Sequence, residues 1–144
     1  MRTWMMLVYR VPNEPTASRV YVWRKLKRLG ALLLHDAVWI LPATPHTREQ
    51  LRWLATEIAE LAGEASVWES RLAHGPEDDA LVGQFRAAVD STYGEILDAL
   101  KRKGADVAAL SRRYQQVRAQ DYFKSDLGER VRGAFTAANG GQDS

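Results

Sequence analysis

The hydrophobic pattern of this chain changes period several times, and each change marks an element. Thr3 to Val11 is a near-continuous apolar run that ends at Arg10-Val11-Pro12. Such a run predicts a strand that is covered on both faces or lies in mid-sheet. Pro12 and Pro15 bracket a short loop, and Pro15 suits the first turn of a helix, where its missing N–H costs nothing. From Pro15 to Leu29 the period becomes helical: Val22, Leu26 and Leu29 fall within about 60° of one another. Gly30 stands where a left-handed cap would end this helix. Ala31–Leu34 and Val38–Leu41 are short runs rich in strand formers, joined at His35-Asp36-Ala37, and read as a hairpin. The turn lacks an Asn-Gly or Asp-Gly signature, which leaves its type open. Thr47 with Gln50 forms a capping-box pattern and opens a second helix through Leu51, Leu54, Ala55, Ile58, Leu61 and Ala62, closed by Gly63. In Glu64–Leu72, Ala65 and Val67 alternate with Ser66, Trp68 and Ser70, which predicts a fourth strand.

The resulting order, β-α-β-β-α-β, is the ferredoxin-like pattern. It predicts an α+β fold: an antiparallel sheet with two helices on one face, spanning residues 1–72. Residues 73–144 read as an all-helical extension packed on the same domain. Pro76-Glu77-Asp78-Asp79 begins its first helix, with the acids at the positive end of the helix dipole. Leu81, Phe85, Ala88, Thr92, Ile96 and Leu100 form the stripe of that helix, and Gly104 ends it. A second carries Val107, Leu110, Tyr114 and Val117. Asp121-Tyr122-Phe123 breaks the pattern, and Ser125 caps a third with Leu127, Val131, Ala134, Phe135 and Ala138. Asn139 to Ser144 reads as frayed. The long first helix of the extension could cover the free face of the sheet, pack beside it, or pair with the same helix of a second copy, which would make a homodimer.

Composition narrows the chemistry. The 144 residues contain no cysteine, which excludes disulfides, thiolate metal sites and thiol catalysis within the chain. The N-terminal apolar run is too short for a membrane span and lacks a signal-peptide cleavage pattern, so a cytoplasmic protein with no membrane partner is expected. The net charge is only +2, but residues 1–35 hold seven Lys/Arg against the single acid Glu14, while residues 36–144 hold thirteen against seventeen. That asymmetry suggests an anionic partner for the N-terminal part, or neutralisation of the basic helix by the acidic remainder.

Several stretches resemble a known family. They are Trp4–Pro12, Val22–Ala31, Asp36–Pro42 and Trp53–Ile58, with Asp121-Tyr122-Phe123 and Leu127-Gly128-Glu129-Arg130 further on. Together they are similar to the N-terminal domain of the chromate-resistance regulators called ChrB, over about residues 3–136. The resemblance implies a transcriptional-regulator module linked to chromate resistance. It reaches only the first of the two domains of the larger members, so a sensor housed in the second would be lacking here or supplied by a separate protein. More distantly the chain resembles the ferredoxin-like module of phenylacetate-pathway repressors and of small CRISPR-associated nucleases. Those nucleases carry a metal-binding acid at the end of the first strand, where this chain has Tyr9-Arg10.

Against that background two constellations stand out. Arg19, Arg24, Lys25, Lys27 and Arg28 occupy one helix with no acid between Pro15 and Leu34. Such a helix can lie along a phosphate backbone and release counterions, giving affinity for DNA without base specificity. Tyr21 among them offers a hydrogen bond or a stacking surface. The competing reading is a solvated face or a protein-interaction and dimerisation surface without DNA contact. The second constellation is Arg10 with His35, as donors to chromate or a related tetrahedral oxyanion. Its competing reading pairs Arg10 with Glu14 or Asp36 and gives His35 a turn-capping role. The tryptophans Trp4, Trp23, Trp39, Trp53 and Trp68 read as core and interface packing rather than a base-stacking platform. His35, His46 and His74 lack metal-ligand spacing, and no phosphate loop or nucleophile elbow is present. The expectation is a non-enzyme with no cofactor and no metal site.

Overall fold

The computed structural model describes residues 1–75 and 77–142, with side chains described through residue 138. It is an α+β structure with a four-stranded antiparallel sheet and, among the described residues, five helices. The elements run β1 (Trp4–Arg10), α1 (Thr16–Leu29), β2 (Leu32–His35), β3 (Val38–Pro42), α2 (Pro45–Glu60), β4 (Glu64–Ser70), α3 (Asp78–Leu100), α4 (Val107–Ala119) and α5 (Asp126–Gln142). The chain divides into two compact units, Met1–Asp78 and Asp79–Ser144.

In the first unit the strands lie in the order β2-β3-β1-β4, every neighbouring pair antiparallel. The central strand is the apolar run of β1, which satisfies its backbone on both sides. Leu7 pairs with Trp39 of β3 and Val67 of β4, and Met5 with Leu41 and Glu69. Alternation puts Met5, Leu7, Trp39 and Leu41 on one face, where all four are buried. Val22 and Leu26 of α1 and Leu51, Leu54 and Ile58 of α2 supply the buried stripes of the two helices. Truncating one such fully buried residue to alanine costs about 2–5 kcal/mol.

Local chemistry sets the boundaries. Gly30 takes a left-handed conformation (φ 76°), and its N–H closes on the Leu26 and Lys27 carbonyls, ending α1. The N-cap of α2 is Thr44, three residues before the Thr47 expected from the Thr47–Gln50 pattern. Thr44 and Thr47 form a reciprocal capping box, and Pro45 takes the first helical position. Thr47 is fully buried, and its hydroxyl donates to the Pro42 carbonyl at 2.6 Å, tying the helix start to the end of β3. The hairpin turns through Asp36 in a left-handed conformation (φ 47°), with a register shift between Leu33 and His35. Gly63 admits no side chain: a Cβ there would sit 2.5 Å from the Arg10 carbonyl oxygen. The fourth strand ends at Ser70 rather than Leu72.

The start of α3 also departs from the sequence reading. Pro76 lies outside the described residues, and the helix begins at Asp78. The Asp78 carboxylate is committed to the sheet: it accepts from the Arg2 backbone N–H at 2.8 Å and from the Trp4 indole Nε1 at 3.0 Å. These bonds hold the Asp78 carboxyl below its ordinary range.

The second unit has its own core of Val89, Tyr93, Ile96, Tyr114, Val117, Val131 and Phe135. Along α3 the buried stripe passes through Val89 and Tyr93, while Ala88 is exposed and Thr92 only half-buried. The Tyr114 ring packs against those of Tyr93 and Phe135, at centroid distances of 6.1 and 5.5 Å. Asp121 explains the break after α4: its carboxylate accepts from the Tyr93 hydroxyl at 2.9 Å and from the Ser125 N–H at 3.0 Å. Ser125 in turn donates to Asp90 and accepts from the Leu127 N–H, capping α5. Gly128 packs directly on the Tyr93 ring, with 3.0 Å left for any Cβ. Helical backbone in α5 continues to Gln142, past the expected fraying point at Asn139, and Asp143 and Ser144 lie outside the described residues.

Candidate nucleic-acid interface

The five cations of α1 do not form one uniform face. At about 100° per residue they divide along the two edges of the buried stripe. Arg19, Trp23 and Lys27 follow one edge, Tyr21, Lys25 and Arg28 the other, and Arg24 stands between, farthest from the sheet. The helix contains no acid, and Lys27 and Arg28 occupy its last turn, where cations complement the negative end of the dipole.

The edge that faces α2 is partly countered. Tyr21 donates its hydroxyl to the Glu57 carboxylate of α2, and Lys25 sits 5.5 Å from the Tyr21 ring centroid. The bond to Glu57, then desolvation and the charges of Glu57 and Glu60, push the Tyr21 phenol above its ordinary pKa, with Arg28 acting in the opposite sense. Tyr21 is therefore engaged within the fold, where sequence reasoning had offered it to a partner. Nothing in the local sequence of α1 reveals this, because Glu57 lies 36 positions away.

The remaining edge and the outer ridge are different. Arg19 and Arg24 have no carboxylate within 4 Å among the described residues. Lys27 lies 5.7 Å from the ring centroid of Trp23, and Trp23 is 50% exposed. Alternating cations and an exposed indole give this edge both point charges for phosphate and a flat surface for stacking.

Beside this edge, between α1 and the β2–β3 side of the sheet, lies a cleft of about 650 Å³. Its walls include Arg19, Val20 and Trp23 of α1, Leu33 of β2 and Trp39 of β3, with Arg10 at the end of β1. Trp39 is 3% exposed and its Nε1 has no hydrogen-bond partner among the described residues. An unpaired buried donor of this kind costs about 1–3 kcal/mol, and composition and periodicity gave no signal of it.

Arg10 and His35 each have a carboxylate partner. Arg10 Nη2 lies 3.2 Å from Glu64 Oε2 across the β1–β4 pair, and His35 Nε2 lies 3.2 Å from Asp36 Oδ2 in the turn. Glu64 thus replaces the Glu14 or Asp36 partner expected for Arg10. Arg10 lines the cleft and His35 does not. The tryptophans divide as well. Trp4 and Trp39 are buried, whereas Trp53 on α2 and Trp68 on β4 are 65% and 57% exposed, so packing within this chain does not account for those two or for Trp23. Among the described residues no three His, Asp or Glu side chains are grouped to hold a metal, and no helix is long and apolar enough to cross a membrane.

Comparisons with known proteins place the chain in a family by sequence. The family model described as "Protein ChrB, N-terminal" matches residues 19–113, from α1 into α4. Protein ChrB of Cupriavidus metallidurans is 29% identical over 142 residues, covering 89% of this chain and 43% of that protein. The chain thus spans less than half the length of this curated relative. No solved structure matches. With two thirds of its residues under the family model, the chain belongs to the family of the ChrB N-terminal domain.

Proposed function

We propose that this chain is a non-enzymatic, cytoplasmic transcription-regulator module associated with chromate resistance, which holds DNA through the outer ridge and cleft-side edge of α1. The sheet order β2-β3-β1-β4 with crossover helices α1 and α2 supports reading its core as ferredoxin-like. The single observation that carries the DNA reading is the cation set of α1. Arg19 and Arg24 are exposed and without ion-pair partners among the described residues, on a helix that contains no acid. Phosphate contacts from such a ridge give affinity that is independent of sequence. Lys25 and Arg28 contribute less, because Glu57 and Glu60 lie along their edge. An oxyanion response through Arg10 and His35 would require the anion to displace Glu64 and Asp36 from them.

A gel shift with duplex DNA tests this reading, with Arg19→Glu and Arg24→Glu combined in one variant. The expected result is lost retardation with an unchanged far-ultraviolet circular dichroism spectrum. Retardation that survives in the folded variant removes α1 as the contact. The exposed Trp53 and Trp68 favour a second reading, a protein-interaction or dimerisation module. That reading predicts a concentration-dependent dimer in sedimentation and no retention on heparin.

A further inference from the structure

We propose that the cleft between α1 and the β2–β3 side of the sheet is a binding site for an unstacked nucleotide, with the base held between Trp23 and Leu33 and the phosphate on Arg19. This deepens the DNA reading, with which it shares Arg19 and Trp23 of the cleft-side edge, by giving that edge a ligand of its own.

Three observations converge on the site. At about 650 Å³ the cleft is in the range of small-ligand sites, and its lining is mainly apolar with a few polar groups. Two large apolar side chains face it while still half open to water: Trp23 is 50% exposed and Leu33 is 47% exposed. A flat ring inserted between them would cover both, and every base has a face that stacks on an indole. Arg19 is a wall of the same cleft and has no carboxylate within 4 Å among the described residues, so its guanidinium remains to be matched by an anion with two or more oxygens. Trp39 closes the wall behind; its Nε1 is fully buried, with no acceptor among the described residues, so the indole meets the cleft through its ring and not through its N–H. Asp36 also lines the cleft. It is unfavourable for a phosphate placed beside it and suits a sugar hydroxyl or an exocyclic amine. That polarity orients the ligand, with the phosphate toward Arg19 and the sugar and base edge toward the hairpin turn.

The chemistry is common to a free mononucleotide and to an unpaired nucleotide in a single strand. The test is therefore a tryptophan-fluorescence titration of the full chain with AMP, GMP, CMP and TMP, and in parallel with a short single-stranded oligonucleotide. Inorganic phosphate and adenosine serve as the two half-ligands. Saturable quenching by a nucleotide is expected, at least tenfold tighter than either half-ligand. Tighter binding of the mononucleotide identifies a free ligand, and tighter binding of the oligonucleotide identifies a strand; either supports the site. Leu33→Gln, on an exposed edge strand, and Trp23→Ala are each expected to weaken binding at least tenfold. The Trp39 indole N–H resonance is expected to move on saturation, a readout that needs no variant of the core. No saturable signal with any nucleotide overturns the proposal, and so does binding that Leu33→Gln leaves unchanged. Leu33 is not part of the ridge of α1, so duplex retardation measured on the same variant separates failure of this site from failure of the DNA reading.

Discussion

Replacing Gly63 by alanine is expected to destabilise the first unit sharply, although alanine usually stabilises. A Cβ at this position would lie 2.5 Å from the Arg10 carbonyl oxygen, 2.8 Å from the Ile58 Cγ2 and 2.9 Å from the Val11 Cγ1. Two of these neighbours are held in place. The Arg10 carbonyl belongs to the last residue of β1, which pairs with Glu64, and Ile58 of α2 is fully buried. Overpacking of this kind costs about 1–3 kcal/mol. Displacing the end of β1 from β4 would add about 1 kcal/mol for a weakened ladder hydrogen bond. Against this stands a gain of about 0.4–1 kcal/mol from restricting the unfolded chain. The balance is about 1–3.5 kcal/mol of destabilisation, or a Tm lowered by roughly 5–25 °C for a unit of this size. Gly83 and Gly133 are helical, and beyond their own helix backbone and chain neighbours an added Cβ would meet no described atom within 4 Å. There the same substitution is expected to raise stability by about 0.5–1 kcal/mol through helix propensity. Thermal and urea denaturation of Gly63→Ala, Gly83→Ala and Gly133→Ala measure all three. If Gly63→Ala melts within a degree or two of the parent chain, the close approach of β1 to the α2–β4 turn is refuted.

Asp121→Ala would strand the buried Tyr93 hydroxyl and the Ser125 N–H together, so its cost should be about 2–4 kcal/mol. Tyr93→Phe should cost less, because Asp121 then keeps its bond to Ser125, and a double-mutant cycle by urea denaturation measures the coupling. Burial, then the Asp121 hydrogen bond, raise the Tyr93 phenol above its ordinary value of 10.0, and burial pushes Tyr122 up to about 12. Both groups favour the fold in their neutral form, so their contribution is full below pH 10.0 and is lost as pH rises toward their folded-state values. The urea midpoint should therefore fall above that pH, and Tyr122→Phe should flatten the fall. Asp78 has the opposite sign: its contribution is present above its ordinary pKa and lost on acidification. Asp78→Asn should thus lower the midpoint at neutral pH more than in acid.

The elements were legible because their periods are local. The apolar run of β1, the buried Val22 and Leu26 of α1 and the Gly30 cap each depend on neighbours within one or two turns, whereas Leu29, expected in the same stripe, is only half-buried. The boundary of α2 was misplaced because two threonines share its capping box, and the pattern Thr47-x-x-Gln50 imitates the one that forms. Ala88 and Thr92 were assigned to the buried stripe of α3, whereas Val89 and Tyr93 occupy it. The choice between those two stripes is made by α4 and α5, through Tyr114 and Phe135, and not by α3 itself. The candidate site was legible as a density of charge and not as a geometry. Local sequence shows five cations without an acid; it does not show Glu57 reaching Tyr21 from another helix, or Glu64 meeting Arg10 across a strand pair. The cleft and the orphaned Trp39 donor were beyond reach, since both depend on where α1 lies over β2 and β3.

The central claim is that the ridge of α1 contacts phosphate, and the salt dependence of binding tests it most directly. Affinity of the chain for a labelled duplex is measured by fluorescence anisotropy between about 50 and 200 mM salt. Log affinity should fall linearly with log salt, with a slope of about −0.9 for each phosphate neutralised. In the double variant Arg24→Glu, Lys27→Glu, the magnitude of that slope should drop by roughly 2. Absence of binding at the lowest salt, or a slope that the double variant leaves unchanged, would contradict the account.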